Sequence, residues 1–172
     1  MEIAPGLFMD RFEYPNVKSS VPRTVVSWQE AQELSQSANK RLCTANEWEE
    51  ACSGEEGLAF PYGNRYVKAA CAMELERPST SGEHLSCRSS SGVQDMVGSV
   101  WEWTSTAVTA AAIQTNPNES MREIRGGSWM VEPMKGTCRP VDGYPVAPEQ
   151  YQFPDVGFRC CRGTTKDYSF QP

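Results

Sequence analysis

The residues with the clearest chemical potential lie in the loop that follows the segment Arg-Gly-Gly-Ser-Trp at residues 125–129. Its two consecutive glycines admit backbone conformations that other residues avoid, and the four prolines between Trp129 and Gln150 exclude a helix. Tryptophan, arginine and tyrosine often anchor interfaces, and carboxylates can orient a polar ligand. The side chains of these types in the loop are Trp129, Glu132, Arg139, Asp142 and Tyr144. They predict a ligand-binding groove, although the same residues would also suit ordinary loop packing.

Seven cysteines are the second source of chemistry. They stand at positions 43, 52, 71, 87, 138, 160 and 161, and no two form a CxxC pair, which argues against a zinc site. Dispersed cysteines are typical of disulfides in an oxidising compartment, so we expect an extracellular or periplasmic protein. Because the count is odd, at least one thiol is free or pairs outside the chain. A bond between Cys71 and Cys87 would close a loop of about seventeen residues and stabilise the fold by about 3 kcal/mol.

Length and charge narrow the class of protein. A chain of 172 residues is most simply one domain with a real core, here predicted over 1–163 with a tail over 164–172. The net charge is −6, and no basic run is present, which argues against a nucleic-acid or anionic-membrane surface. No apolar run approaches the ~18 residues of a membrane span. The first residues lack the features of a signal peptide, so we expect that an exported protein would have lost its signal.

Two helices and several short strands must position these residues. Ser27 with Glu30, and Thr44 with Glu47, are spaced as capping boxes. They predict one helix over about 28–38 and a second one that buries Trp48 and Cys52 and ends at Gly54.

Alternating apolar and polar residues predict strands over 7–14, 93–104 and near 158–161, with a loop over 105–120. Early helices followed by short strands indicate an α+β fold with much irregular backbone.

Short blocks of this chain resemble those of the formylglycine-generating enzyme (sulfatase-modifying factor) family, in the same order. The blocks are VSW at 26–28 through Ala31, KRL at 40–42 through Trp48 and Glu49, FPYGN at 60–64, DMVGSVWEW at 95–103, RGGSW at 125–129 and GFR at 157–159. Each block is weak alone, but the ordered set is highly specific and covers roughly residues 7 to 162. The resemblance implies a variant of the C-type lectin fold with paired terminal strands.

The resemblance also specifies where catalytic residues would stand. Oxidase members of that family place two cysteines after the Gly-Gly-Ser block, and this thiolate pair binds Cu(I). The matching positions here are Val131 and Gly136, and the nearest sulfur, Cys138, lies two residues past the second position. We therefore expect no copper oxidase chemistry. The iron-dependent branches require several histidines, whereas this chain has only His84, in a polar loop.

Two further features are implied by the resemblance. Family members bind structural Ca²⁺ partly through a Gly-Asn-x-Trp-Glu block, in which Glu102 is retained here but Ser99 replaces the asparagine. This replacement weakens the site, and Asp95 and Glu102 would be its carboxylates if it survives. The implied disulfide joins Cys52 to Cys160. Cys161, on the opposite face from Cys160, would then pair with Cys43 or Cys138, and the sequence does not choose between them.

Two functional hypotheses follow. The favoured one is a non-catalytic family member that binds a peptide, glycan or protein partner in the loop after Trp129. The alternative is a redox enzyme that uses Cys138 with one other sulfur. The redox hypothesis predicts an accessible Cys138 thiol with a low pKa, whereas the binding hypothesis predicts that Cys138 is buried in a disulfide.

Overall fold

The computed structural model describes residues 1–108, 119–140, 143 and 145–163. This part of the chain contains two helices, α1 (Trp28–Ser37) and α2 (Ala45–Ser53). Its eight strands are β1 (Glu2–Ala4), β2 (Leu7–Met9), β3 (Arg41–Leu42), β4 (Trp101–Val108), β5 (Met121–Arg125), β6 (Val146–Pro148), β7 (Val156–Phe158) and β8 (Cys160–Gly163). The fold is α+β, as predicted, with long irregular connections. The predicted tail, 164–172, lies outside the described residues.

Both helices begin at the predicted capping boxes. The Ser27 hydroxyl accepts from the Glu30 amide at 3.2 Å, and the Glu30 carboxylate accepts from the Ser27 amide at 2.8 Å. Thr44 and Glu47 make the same reciprocal pair at 3.1 and 2.9 Å. These bonds satisfy amides that have no partner within the helix. Neither helix is long and apolar enough to cross a membrane, and the described residues contain no other helix.

The strands form two four-stranded sheets, ordered β1-β2-β8-β3 and β6-β5-β4-β7. The first sheet joins the two ends of the described chain, because β2 pairs antiparallel with β8 and Phe8 lies opposite Arg162. The predicted strand over 7–14 is shorter than expected and ends at Met9. Beyond it, the amides of Asp10 and Tyr14 donate to the carbonyls of Cys160 and Phe158, so this segment still follows the C-terminal strands.

The prediction of a strand over 93–104 is wrong for its first two thirds, 93–100. Asp95, Gly98 and Ser99 have φ angles of 57°, 77° and 57°, which an extended strand does not admit. The regular strand β4 begins only at Trp101 and continues to Val108, into the segment that we predicted as loop. The irregular part is almost entirely buried and crosses the core. Residues 109–118 of the predicted loop lie outside the described residues.

Three disulfides cross-link the domain: Cys43–Cys161, Cys52–Cys138 and Cys71–Cys87. The structure thus contains the predicted Cys71–Cys87 bond and pairs Cys161 with Cys43. The expected Cys52–Cys160 bond is wrong, and Cys160 is a buried free thiol.

The reason lies in the geometry of strand β8, where neighbouring side chains point to opposite faces. Cys161 faces the core cluster that contains Cys52 and Cys138. Cys160 faces the other cluster, beside helix α1, where its sulfur lies 3.3 Å from the Ser35 hydroxyl. Cys52 and Cys160 are therefore on opposite sides of the strand.

Candidate functional site

The Gly-Gly turn folds the following loop back onto itself. Gly126 and Gly127 have φ angles of 94° and 79°. A Cβ atom on Gly126 would lie 2.6 Å from the Met96 carbonyl oxygen, and one on Gly127 would lie 2.7 Å from the Gly136 Cα and 3.0 Å from a Val131 methyl. Both positions therefore require glycine. The turn brings positions 131 and 136 together on one side of Gly127.

These two positions, which correspond to the oxidase cysteines, carry no sulfur. A Cβ atom on Gly136 would lie 2.6 Å from the Met73 sulfur, so the space that a cysteine would need is already filled. The residues at these two positions therefore do not supply the thiolate pair through which the oxidases bind Cu(I).

The nearby Cys138 is fully buried and bonded to Cys52 on helix α2, and its amide donates to the Ala59 carbonyl at 2.8 Å. It has none of the accessibility that the redox hypothesis requires.

The structure describes three of the five predicted ligand-binding residues. Trp129 is half-buried, its amide donates to the Ser99 carbonyl, and its indole N–H has no acceptor among the described residues. Glu132 is exposed at the tip of the loop. Arg139 forms a 2.8 Å ion pair with Glu49 on helix α2. Asp142 and Tyr144 lie outside the described residues.

An apolar surface that the sequence did not reveal lies on this loop. Met130 and Met134 are 53% and 65% exposed. Leu75 is 38% exposed, and its amide donates to the Trp129 carbonyl at 2.9 Å, which places it beside the loop. We call Leu75, Met130 and Met134 the methionine surface. The two methionines stand four residues apart in an irregular loop, and no sequence periodicity indicates their exposure.

A buried ion pair lies in the core beneath the Gly-Gly turn. Arg159 donates to both Glu102 oxygens at 2.6 and 2.7 Å, and the Trp48 indole donates to the same carboxylate at 2.8 Å. Arg159 and Glu102 are each 1% exposed, and the guanidinium also donates to the main-chain carbonyls of Asp10, Arg11, Gln94 and Asp95. Burial opposes its charge, yet the Glu102 carboxylate raises the pKa of Arg159. This pair joins three distant segments of the chain.

Two more buried carboxyl groups, those of Asp95 and Glu13, interact with the positive charge of Arg159. Asp95 accepts a 2.6 Å bond from the Gly82 amide, and burial raises the pKa of Asp95 to about 6. Glu13 is fully buried, and neither carboxyl oxygen has a partner in the described part of the chain. Burial, with the neighbouring Asp95 carboxylate, raises the pKa of Glu13 well above its ordinary value. The sequence did not identify Glu13 as a buried carboxyl group, and only the packing places it inside.

The predicted calcium ligands do not fit a calcium ion in this arrangement. Glu102 already accepts bonds from Arg159 and Trp48, and a cation there would compete with the guanidinium. Among the described residues, no group of three or more His, Cys, Asp or Glu side chains could hold a metal ion. His84 contacts the Ala69 carbonyl oxygen through Nδ1 at 3.1 Å, and no cluster of histidines exists that could hold iron. Calcium at Asp95 and Glu102 stays a prediction without support from this geometry.

Comparison with solved structures identifies the class of fold. The chain superposes on PvdO from Pseudomonas aeruginosa with a TM-score of 0.66 and 20% identity, covering 85% of this chain and 63% of that one. This chain therefore has a variant of the C-type lectin fold, in which short sheets surround irregular loops and the terminal strands pair.

The chain belongs to the formylglycine-generating enzyme family. The model of the sulfatase-modifying factor enzyme 1-like domain matches residues 4–164. Hercynine oxygenase from Mycolicibacterium smegmatis is 31% identical over 136 residues, which cover 67% of this chain and 31% of that protein. Inactive C-alpha-formylglycine-generating enzyme 2 from Bos taurus is 29% identical over 164 residues, covering 85% of this chain and 52% of that protein. The chain thus spans from 31% to 52% of the length of these two relatives.

Proposed function

We propose that this domain is a non-catalytic member of the family that binds a polypeptide partner through the methionine surface, outside the cell or in the periplasm. The observation that carries the proposal is the absence of sulfur at the two positions where the oxidases have cysteines. Val131 and Gly136 are held side by side by the Gly-Gly turn, but neither carries a sulfur, and Cys138 is locked in a buried disulfide. The support for compartment comes from the three disulfides, which persist in oxidising environments.

The composition of the surface favours a polypeptide over a glycan. Methionine side chains are flexible and polarizable, and they are common at surfaces that adapt to protein partners. Sugar hydroxyls, in contrast, need several free hydrogen-bonding groups. The polar groups around this loop are largely engaged: Arg139 pairs with Glu49, and the Glu74 carboxylate accepts from the Tyr66 hydroxyl at 3.0 Å. Glu132 and Lys135 remain as exposed charges that could orient a bound segment.

The test is selection of binders from a random peptide display library, with a glycan array as the competing screen. We expect peptide binders whose binding falls at least about tenfold in Met130→Glu, because a buried charge without a partner costs several kcal/mol. The matched control is Leu85→Glu, since Leu85 is 73% exposed and outside the methionine surface. Glycan binders without peptide binders, or peptide binders indifferent to Met130→Glu, would contradict the proposal.

A thiol titration separates this function from the redox alternative. We expect no reactive thiol in the native protein and one after denaturation, because six cysteines form disulfides and Cys160 is buried. Labelling of Cys138 in the native state would restore the redox hypothesis.

A further inference from the structure

All fourteen methionines and cysteines lie in the described part of the chain. Their sulfur atoms divide into a group that is buried or disulfide-bonded and a group that is exposed to solvent. Six cysteines are consumed by buried disulfides. The seventh, Cys160, is 1% exposed, and burial raises its pKa to about 11. Oxidants react with an accessible thiolate, so the buried, protonated Cys160 thiol is a poor target.

The methionines show the opposite pattern. Met9, Met73, Met96 and Met121 are at most 6% exposed, and Met1 is 36% exposed. Met130 and Met134 are the two most exposed, and they occupy the same loop. Two backbone bonds, from the Lys135 amide to the Glu132 carbonyl and from the Gly136 amide to the Pro133 carbonyl, hold this loop in a compact turn, so both exposed methionines belong to one short segment.

We propose that Met130 and Met134 are the sites at which peroxides modify this domain, and that their oxidation turns the methionine surface from apolar to polar. In each reaction the peroxide transfers one oxygen atom to the thioether sulfur. The O–O bond breaks, an S–O bond forms, the thioether is oxidised to a sulfoxide, and the peroxide is reduced to water or an alcohol. The sulfoxide is polar and chiral, and it disrupts methionine-rich interfaces.

The consequence for binding rests on the proposed function, whereas the chemistry does not. Oxidation would insert two strong dipoles into the surface on which an apolar partner segment would pack, and desolvating those dipoles costs free energy. Sulfoxide formation is reversible by reductases that act on each epimer, so the modification could regulate the surface rather than only damage it.

The primary test is peptide mass spectrometry of the native protein after graded hydrogen peroxide treatment. We expect sulfoxide at Met130 and Met134 to form about tenfold or more faster than at the four buried methionines, with Met1 between the two groups. Cys160 should remain reduced throughout. Equal rates at buried and exposed methionines, or oxidation of Cys160 first, would overturn the assignment.

The second test measures the polarity of the surface without requiring a partner. Peroxide treatment should shorten the retention of the native protein on a hydrophobic-interaction column. It should change the retention of the Met130→Leu/Met134→Leu variant much less, because the exposed leucines keep the apolar surface and resist oxidation, and only the partly exposed Met1 still reacts readily. An equal change in both proteins would refute the proposal. If both oxidation tests succeed while the peptide selection fails, the modification sites stand and only the proposed function falls.

Discussion

Replacing Asp95 with asparagine should stabilise the domain at neutral pH. Asp95 is 5% exposed, and burial raises its pKa from 3.8 to about 6, against the opposing effects of the Gly82 amide and Arg159. Asparagine keeps an oxygen that can accept the Gly82 bond, and it tolerates the φ of 57° at this position. It removes the ionisation that the core disfavours and replaces the other carboxylate oxygen with an NH2 group.

The magnitude follows from the two pKa values. Below pH 3.8 the carboxyl is protonated in both the folded and the unfolded chain, and its contribution to stability is fully present. Between pH 3.8 and about 6 the unfolded chain ionises first, so stability is lost as the pH rises. The difference corresponds to about 3 kcal/mol at about 1.4 kcal/mol per pKa unit. We therefore expect Asp95→Asn to exceed the native protein in unfolding free energy by up to about 3 kcal/mol at pH 8 and to match it near pH 3.5.

Urea unfolding followed by tryptophan fluorescence, from pH 3.5 to 8 with the disulfides intact, measures this difference. Glu33→Gln is the matched control, because Glu33 is an exposed carboxylate on helix α1. The reasoning is refuted if Asp95→Asn is less stable than the native protein at pH 8, or if the difference between them does not grow with pH.

Calcium provides an additional arm of the same experiment. A calcium ion at Asp95 would favour the carboxylate and stabilise the native protein but not Asp95→Asn. We expect no effect of calcium or of a chelator, because Arg159 and Trp48 already occupy Glu102. A calcium-dependent gain in stability that Asp95→Asn abolishes would establish the site that the resemblance implied.

Two other predictions concern the long-range contacts of the core. The paired variant Cys52→Ala/Cys138→Ala should lose up to about 5 kcal/mol in urea unfolding, because its bond spans 86 residues in sequence; a loss below about 1 kcal/mol would show that this bond does not constrain the unfolded chain. Arg159→Met should lose about 3–5 kcal/mol, because it leaves the Glu102 carboxylate buried without its cation. Adding Glu102→Gln, which keeps an acceptor for Trp48, should recover part of that loss, and a double variant as unstable as the single one would contradict this explanation.

The candidate site was only partly predictable from the sequence. The sequence correctly indicated the Gly-Gly turn and the absence of sulfur at Val131 and Gly136, because these depend on residue identity and spacing. It did not predict that Arg139 would pair with Glu49 on helix α2, or that Leu75 would join the loop. Those contacts connect residues about 50 to 90 positions apart, and a loop without periodicity carries no signal of which side faces solvent.

The sequence by itself determined the elements that rest on local interactions. Each capping box links residues only three apart, so Ser27 and Thr44 start their helices wherever the chain lies in space. The Cys71–Cys87 bond is similarly local, with a separation of 16 residues. The ordered blocks also identified the family and its fold.

Tertiary structure alone decided the features that depend on which face of an element is covered. Strand β8 places Cys160 and Cys161 on opposite sides, so the partner of Cys52 was decided by the core cluster around it and not by spacing. Nothing in the sequence marked the charged residue Glu13 as buried, yet it is fully buried and interacts with the charges of Asp95, Glu102 and Arg159. Burial and pairing are properties of distant segments brought together, and a single sequence specifies them only through the complete fold.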